Sequence, residues 1–337
     1  MNYFLEVEFA VVEKDGVAPK GFFATSNRKT EILYGREWRT VKNQRMDATI
    51  VVGAEPECKI LRELKKGEKV AIGHRGIREE ANHDKENGEF SFMSSSFSSE
   101  RNNSAAIARI MEEIKVLKSG GRKVLLICGP VVVHSGGREY LASLIRKGWV
   151  DVIFAGNALA THDVEASLFG TSLGINVKTG KAIEGGHKHH LYAINEVNRI
   201  GGIKKAVESG LLTNGIMYEC EKNHVKYILA GSIRDDGPLS EVITDTIEAQ
   251  GKMMENLKGV GIAIVIGSML HGIATGNMLN DRVKFVCVDI NSGTLNKLID
   301  RGSVQAMGLV CAADDFLRAL DHGLGGNSYE KNGFSSG

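Results

Sequence analysis

The sequence predicts an α/β protein: a doubly wound, mostly parallel Rossmann-like sheet, preceded by a smaller β-rich N-terminal domain. Short apolar runs recur at KVLLICG, DVIFAG, KYILAGS, GIAIVIGS, KFVCVDI and VQAMGLV. Their hydrophobicity is continuous rather than alternating, the pattern of strands covered on both faces. Segments of helical periodicity lie between them, and strands alternating with helices build a parallel sheet.

In chain order, residues 1–80 read as mostly β. FLEVEFAVV alternates in part, Asp15-Gly16 and Tyr34-Gly35 mark turns, and MDATIVVGA and KVAIGH are short β-branched strands. From Ala81 to Ser104 the chain turns polar and Ser-rich, a linker or mobile loop in which Phe90, Phe92 and Phe97 suggest partial docking. The N-terminal domain is therefore placed at 1–104 and the catalytic domain at 105–324. AAIARIMEEIKVLKSGG is a helix leading into KVLLICG. Further helices are expected at EYLASLIRKG, LYAINEVNRIGGIKKAVESG, LSEVITDTIEAQGKMMENL, GTLNKLID and ADDFLRALDHG. The tail 325–337, GGNSYEKNGFSSG, reads as disordered.

Composition narrows the function. With 42 Lys and Arg against 41 Asp and Glu, the net charge of +1 gives no reason to expect nucleic-acid or membrane-surface binding. The five cysteines form no Cys-x-x-Cys pair, and three sit in apolar runs, as buried thiols in a reducing compartment do. Cys220 differs, because MYECEK places charge on both sides of it. Glu6 and Glu8 stand where a signal peptide carries positive charge. The uncharged stretch Gly259–Asn280 is interrupted by Gly, Ser, His and Asn, and reads as a buried strand entering a helix. A soluble, cytoplasmic protein is expected.

Ligands of an open parallel sheet bind beyond the carboxyl ends of its strands. There GSMLHGIATGNML places a small-residue turn, Ser268, Met269, Leu270 and His271, between a strand and a helix, so backbone N–H groups can face a pyrophosphate. Asp289 ends the next strand, where an acid accepts from ribose hydroxyls and disfavours the extra phosphate of NADP. The turn departs from G-x-G-x-x-G, so plain turn glycines remain an alternative. No G-x-x-x-x-G-K-[ST] occurs, which disfavours a P-loop NTPase.

GGHKHH contributes His187, His189 and His190. No Cys pair or second His pair stands at ligand spacing, so no metal is expected; zinc is the sharper alternative. In an extended segment His187 and His189 share a face and His190 points away. AGNALATHDVEASLFGTSLG adds His162, Asp163 and Glu165, as a helix start with Asp163 in its first turn or, alternatively, as an active-site acid.

Taken together, GHRG, AGNALATHDVEASLFGTSLG, GGHKHHLYAIN, GIMYEC, AGSIRDDGPL and VCVDIN resemble the conserved-region family of the LOR/SDH bifunctional enzyme. That family includes archaeal-type ornithine cyclodeaminases and is similar to the C-terminal module of cyanobacterial arginine dihydrolase/ornithine cyclodeaminase enzymes. The resemblance runs from about Gly16 to Leu324. It implies a fold like the NAD-binding fold of deoxyhypusine synthase, with NAD tightly held and recycled. Relatives carry several dozen residues before the equivalent of Met1, a segment this chain is expected to lack. On the matching motifs, Asn157, Ala158, Asp236, Ser268 to His271 and Asp289 would contact NAD. Leu309 and Val310 are added for the adenine side from sheet geometry alone.

The implied activity converts L-ornithine to L-proline and ammonia by transient hydride transfer at Cα, attack by the δ-amine and hydride return. Three roles follow. Arg75 or Arg234 would hold the α-carboxylate. Asp235 and Glu219 would hold or deprotonate an ammonium, and His187 or Cys220 would relay the proton for ammonia release. Simple pairing of Arg234 with Asp235, and a solvated strand-end Glu219, are the plainer readings. An NAD-dependent amino-acid dehydrogenase, a non-catalytic NAD-sensing module and a zinc hydrolase are the competing functions. A homo-oligomer is expected.

Overall fold

The computed structural model describes residues 5–80, 100–177, 179–235, 237–301 and 306–325. The chain divides into two compact units. The first comprises Met1–Ser95 with Thr275–Val283 and Arg301–Gln305. Its strands are β1 (Glu8–Val11), β2 (Thr30–Tyr34), β3 (Glu37–Thr40), β4 (Thr49–Val51), β5 (Glu57–Lys59), β6 (Lys69–Ile72) and β7 (Ile77–Glu79). They form antiparallel sheets of order β1-β6-β4-β5 and β3-β2-β7. Positive φ at Gly35 (66°) and Arg36 (65°) closes the β2–β3 hairpin, the geometry whose twist matches its flanking strands. Inward residues, among them Ile32, Val41, Ile50, Cys58 and Ala71, make a buried core.

The second unit comprises Ser96–Ala274, Lys284–Asp300 and Ala306–Gly337. In order it contains α1 (Glu100–Ser119), β8 (Lys123–Cys128), α2 (Val131–His134), α3 (Arg138–Arg146), β9 (Val152–Gly156), α4 (Asn157–Phe169), the hairpin β10 (Thr171–Ser172) and β11 (Ile175–Asn176), α5 (His189–Ile200), α6 (Ile203–Glu208) and α7 (Ile216–Lys222). There follow β12 (Lys226–Ala230), β13 (Val242–Ile243), α8 (Thr246–Asn256), β14 (Val260–Ile266), α9 (Met269–Met278), β15 (Lys284–Asp289), α10 (Ser292–Arg301), β16 (Ala306–Val310) and α11 (Ala313–Leu324). Seven strands form one sheet in the order β13-β12-β9-β8-β14-β15-β16, and every neighbouring pair is parallel. All of β14 is buried. Each fully buried Ile or Val there contributes roughly 1.5–3 kcal/mol, which is why such strands read as unbroken apolar runs.

The expected α/β architecture is present, with local differences. The single helix expected over LYAINEVNRIGGIKKAVESG is two, broken where Gly201 and Gly202 take φ of 97° and 105°. The start of LSEVITDTIEAQ is an edge strand, β13, and Asp245 caps α8 by accepting from the Ile247 and Glu248 amides. MYECEK is helical rather than a strand end. The expected boundary at 104/105 falls inside α1, and the first unit also takes residues 275–283. That return rests on long-range bonds, such as Asp281 N to Asn27 O at 3.0 Å. Residues 81–99 and 326–337, and with them most of the expected loop and tail, lie outside the described residues. Among the described residues, no helix is long and apolar enough to cross a membrane.

Candidate functional site

The site is built where the sheet reverses its winding. β8 lies beside β14; from β8 the chain proceeds outward through β9, β12 and β13, and from β14 through β15 and β16 on the other side. Helices and loops leave these two strands in opposite directions, which opens a crevice at their carboxyl ends. Glycine lets the ends of these two strands and the start of α2 pack closely beside that crevice. A Cβ on Gly129 would lie 2.0 Å from the Gly267 carbonyl oxygen. One on Gly267, itself at φ +58°, would lie 2.2 Å from Val131 Cγ1.

Two cavities share a wall here. One, of about 100 Å³, touches Gly129, Pro130, Ser268 and His271. The other, of about 290 Å³, touches Thr161, His162, His190, Ile194 and Arg234. Asn157, Ala158, Ser232 and Asp235 line both.

Asn157 opens α4 at the end of β9, is buried, and its Oδ1 accepts from Thr161 Oγ1 (3.0 Å) and Leu239 N (3.2 Å). Ser268 Oγ is 2.8 Å from His271 Nδ1, and the His271 ring sits over Gly156. Burial pulls the His271 pKa below its ordinary value, against the hydrogen bond to the Ala230 carbonyl and the nearby Asp235 charge. Met269 and Leu270, in the first turn of α9, leave apolar side chains exposed, Leu270 at 71%. Asp289 ends β15 half-buried, and its Oδ1 accepts from Asn291 N at 2.8 Å. Val310 pairs with Asp289 across the sheet; Leu309 is buried, and the Val310 carbonyl accepts from Asn103 Nδ2. The Ser232 amide donates to Asp235 Oδ2 at 2.8 Å, and the Arg234 amide to Ser232 Oγ at 3.2 Å. Asp236 lies outside the described residues.

Other expected residues are placed elsewhere. Glu219 is a buried α7 acid at the amino-terminal edge of the sheet, where Arg146 Nε (2.8 Å) and Asn223 Nδ2 (2.9 Å) engage it, and not a solvated strand-end group. Cys220 beside it is fully buried, and burial holds its thiol protonated far above the ordinary range. Neither lines the crevice, because α7 feeds β12 at the end opposite the ligand rim. His187 is exposed on a short 3-10 turn, Gly186–Lys188, and lines neither cavity. That turn runs straight into α5, so the histidines follow helical rather than alternating geometry: His190 faces the larger cavity, and His189 stacks on Phe169. Arg75 belongs to the first unit, where its Nη1 is 2.7 Å from Glu8 Oε1. Among the described residues, no three His, Cys, Asp or Glu side chains are grouped to hold a metal ion.

Residues that the sequence offered singly, His162, Glu165 and His190, stand together with His134. His162 Nδ1 is 2.9 Å from Glu165 Oε2, the His134 ring is 4.6 Å away and the His190 ring 6.3 Å. Burial raises the Glu165 pKa, but hydrogen bonds from His162, Thr171 and the Gly174 amide outweigh it and hold the carboxyl below its ordinary range. Partial burial and the His162 ring push His134 down to about 4, although much of that residue remains in solvent. The usable signal was the i, i+3 spacing of His162 and Glu165, which shares a helix face once α4 is known to start at Asn157. Asp163 is therefore no first-turn acid: it is wholly buried and accepts from Arg138 Nε and from the Ile216 and Met217 amides that open α7.

Two family models cover most of the chain: arginine dihydrolase ArgZ-like, C-terminal, Rossmann fold, over residues 105–320, and the corresponding C-terminal first region over 29–107. A protein of Methanopyrus kandleri named ornithine cyclodeaminase is 49% identical over 320 residues, covering 94% of this chain and 77% of that one. The crystal structure of a conserved LOR/SDH protein from Methanococcus maripaludis is similar at TM-score 0.88 and 44% identity, covering 96% of this chain and 98% of that one. A crystal structure of AgrE in ternary complex with ornithine and NAD+ is similar at TM-score 0.65 and 41% identity, covering 95% of this chain and 46% of that one. With one model spanning more than half of its length and a relative at nearly half identity, this chain belongs to the ArgZ-like C-terminal family.

Proposed function

We propose that this protein is an NAD-dependent ornithine cyclodeaminase, converting L-ornithine to L-proline and ammonia without net consumption of the cofactor. The observation that carries the reading is the pair of adjoining cavities at the switch point, one walled by glycine and the other by charged and imidazole groups. Relatives named ornithine cyclodeaminase, and AgrE with ornithine and NAD+, support it.

The residues fit a dinucleotide. Gly129 borders the smaller cavity, and Gly129 and Gly267 let the ends of β8 and β14 approach without a Cβ between them. That brings the first turn of α9 to the cavity, where its main-chain amides would face a pyrophosphate. Ser268 to His271 would follow that group into α9, Asn157 and Ala158 would contact it from α4, and Asp289 would accept from ribose hydroxyls. Leu309 and Val310 would flank the adenine side, beside the end of β15. Bound there, NAD supplies a hydride acceptor for Cα of ornithine and, after ring closure, the donor that completes proline.

The chain's own groups bind and orient the amino acid. Arg234 would take the α-carboxylate through its planar guanidinium. Asp235, held by the Ser232 amide, would take an ammonium. Leu191 and Ile194 would exclude water along the substrate's methylenes.

Purified protein given L-ornithine and a catalytic amount of NAD+ should release proline and ammonia in equal amounts, with no net cofactor reduction. Net reduction would mean an ordinary amino-acid dehydrogenase. NAD binding without turnover would mean a sensing module.

A further inference from the structure

We infer that His162 is the proton carrier of this site: it accepts the proton of the substrate's α-ammonium and returns it to that nitrogen as ammonia leaves, with Glu165 positioning its ring. The inference rests on the ornithine reading above and deepens it.

Placement comes first. His162 lies four residues after Ala158 on α4, so the two share a helix face. Ala158 lines both cavities and His162 lines the larger. The imidazole therefore stands in the substrate cavity, one helical turn from the wall it shares with the cofactor cavity.

Orientation comes next. The Glu165 side chain has no exposed surface. Its Oε1 accepts from Thr171 Oγ1 at 2.8 Å and from the Gly174 amide at 3.2 Å; its Oε2 lies 2.9 Å from His162 Nδ1 and accepts from the Leu173 amide at 3.2 Å. A carboxylate so fully supplied with donors is an acceptor toward the ring, which assigns the proton to Nδ1 and leaves the Nε2 lone pair as the base. Besides Glu165, the titratable groups near the ring among the described residues include His134 from α2 and His190 from α5, and Arg234 and Asp235 line the same cavity. His271, the other imidazole at the rim, has Nδ1 beside Ser268 Oγ and a hydrogen bond to the Ala230 carbonyl, so its ring is already committed.

The chemistry needs such a group. An α-ammonium has no lone pair to assist loss of hydride from Cα, so its proton must first be accepted. After the δ-amine has bonded to Cα, the α-nitrogen departs with the pair of its breaking C–N bond and must be reprotonated. One proton leaves the α-nitrogen and returns to it. The δ-nitrogen gives its ammonium proton to solvent before it attacks, loses a second once bonded to Cα, and regains one as the amine of proline. The hydride that NAD removes from Cα returns to Cα, so no further oxidant or reductant is required.

The test uses the full chain as His162→Gln and His162→Ala. The expected result is a kcat lower by about 100-fold or more, the scale of lost general acid–base catalysis. Calorimetric affinities for NAD and for ornithine should stay within about threefold of wild type, and melting temperatures close to it. Added imidazole should restore part of the His162→Ala rate. Glu165→Gln should move the acidic limb of the kcat/KM profile to lower pH, since an amide stabilises an adjacent imidazolium less than a carboxylate does. A His162→Gln protein that keeps kcat within about threefold of wild type overturns the inference. So does a rate loss matched by an equal loss of ornithine affinity. If the wild type itself binds NAD and does not convert ornithine, the functional reading falls and the inference with it.

Discussion

Lys118 and Asp151 meet at the amino-terminal edge of the seven-stranded sheet, whereas Arg234, Asp235 and Asp289 stand at its carboxyl rim. The Lys118 side chain is 4% exposed, and both Asp151 oxygens lie within 2.9 Å of its Nζ; the Val124 amide, where β8 begins, also donates to Asp151. Arg146 and Glu219 pair at the same edge, and Arg122 donates to the Val260 carbonyl at 2.6 Å. Charges there are partnered inside the protein and hold helix ends to strand starts. At the rim, side chains bond to their own loops, as Asp289 does with Asn291 and Asp235 with Ser232, and Asp235 and Arg234 border an open cavity. The same strands thus end in a stapled edge and an edge organised for a ligand. Charge alone does not mark a site; what else already satisfies the charge does.

This contrast can be broken at either end. Lys118→Met should have the largest effect, about 3 kcal/mol of stability, because it leaves Asp151 without its cation. Denaturant unfolding would measure that loss, and NAD affinity of the folded protein should barely change. An Asp289→Asn protein should behave in the opposite way. Its unfolding curve should overlay the wild type while NAD binding weakens about tenfold, the loss of one charge-assisted bond. Should Asp289→Asn instead destabilise the fold and leave NAD binding intact, the rim would be as structural as the opposite edge.

The smallest effect is on pH dependence. Burial disfavours imidazolium at His271, and His134 is pushed down from 6.5 to about 4, so the unfolded chain binds more protons than the folded one between those values. Stability contributed by the neutral rings is complete above about pH 6.5 and fades as pH falls toward 4. The exposure of His134 keeps its share small. Melting temperatures at pH 7 and pH 5 should differ less in His134→Gln than in wild type; equal differences would remove His134 from this account.

Legibility followed the same division. The runs VLLIC, VIFA and VGIAIVI lie in strands because burial on both faces leaves a mark in every residue of the run. The turn from Gly267 into α9 and the acid at the end of β15 were visible for a similar reason, since each is a local juxtaposition. Glu219 and Cys220 were misplaced because MYECEK, a short segment just before β12, gives no sign of which end of the sheet it approaches. His162 and Glu165 were named but not paired, because a helix start that puts Asp163 in the first turn, instead of one at Asn157, misplaces every later side chain, each residue turning about 100°.

The sequence by itself determined the layers: the central strands of the sheet, most of the helices between them, and that glycine and polar residues follow the strand ends. Hydrophobic periodicity records burial one element at a time, so it needs no knowledge of neighbours. The tertiary structure alone decided which ends meet. It set β14 beside β8, drew residues 275–283 into the first unit, and brought His134 and His190 from two other helices beside the His162 ring. Those are contacts between distant stretches of chain, fixed by how the elements pack, and no local pattern of residue types encodes them.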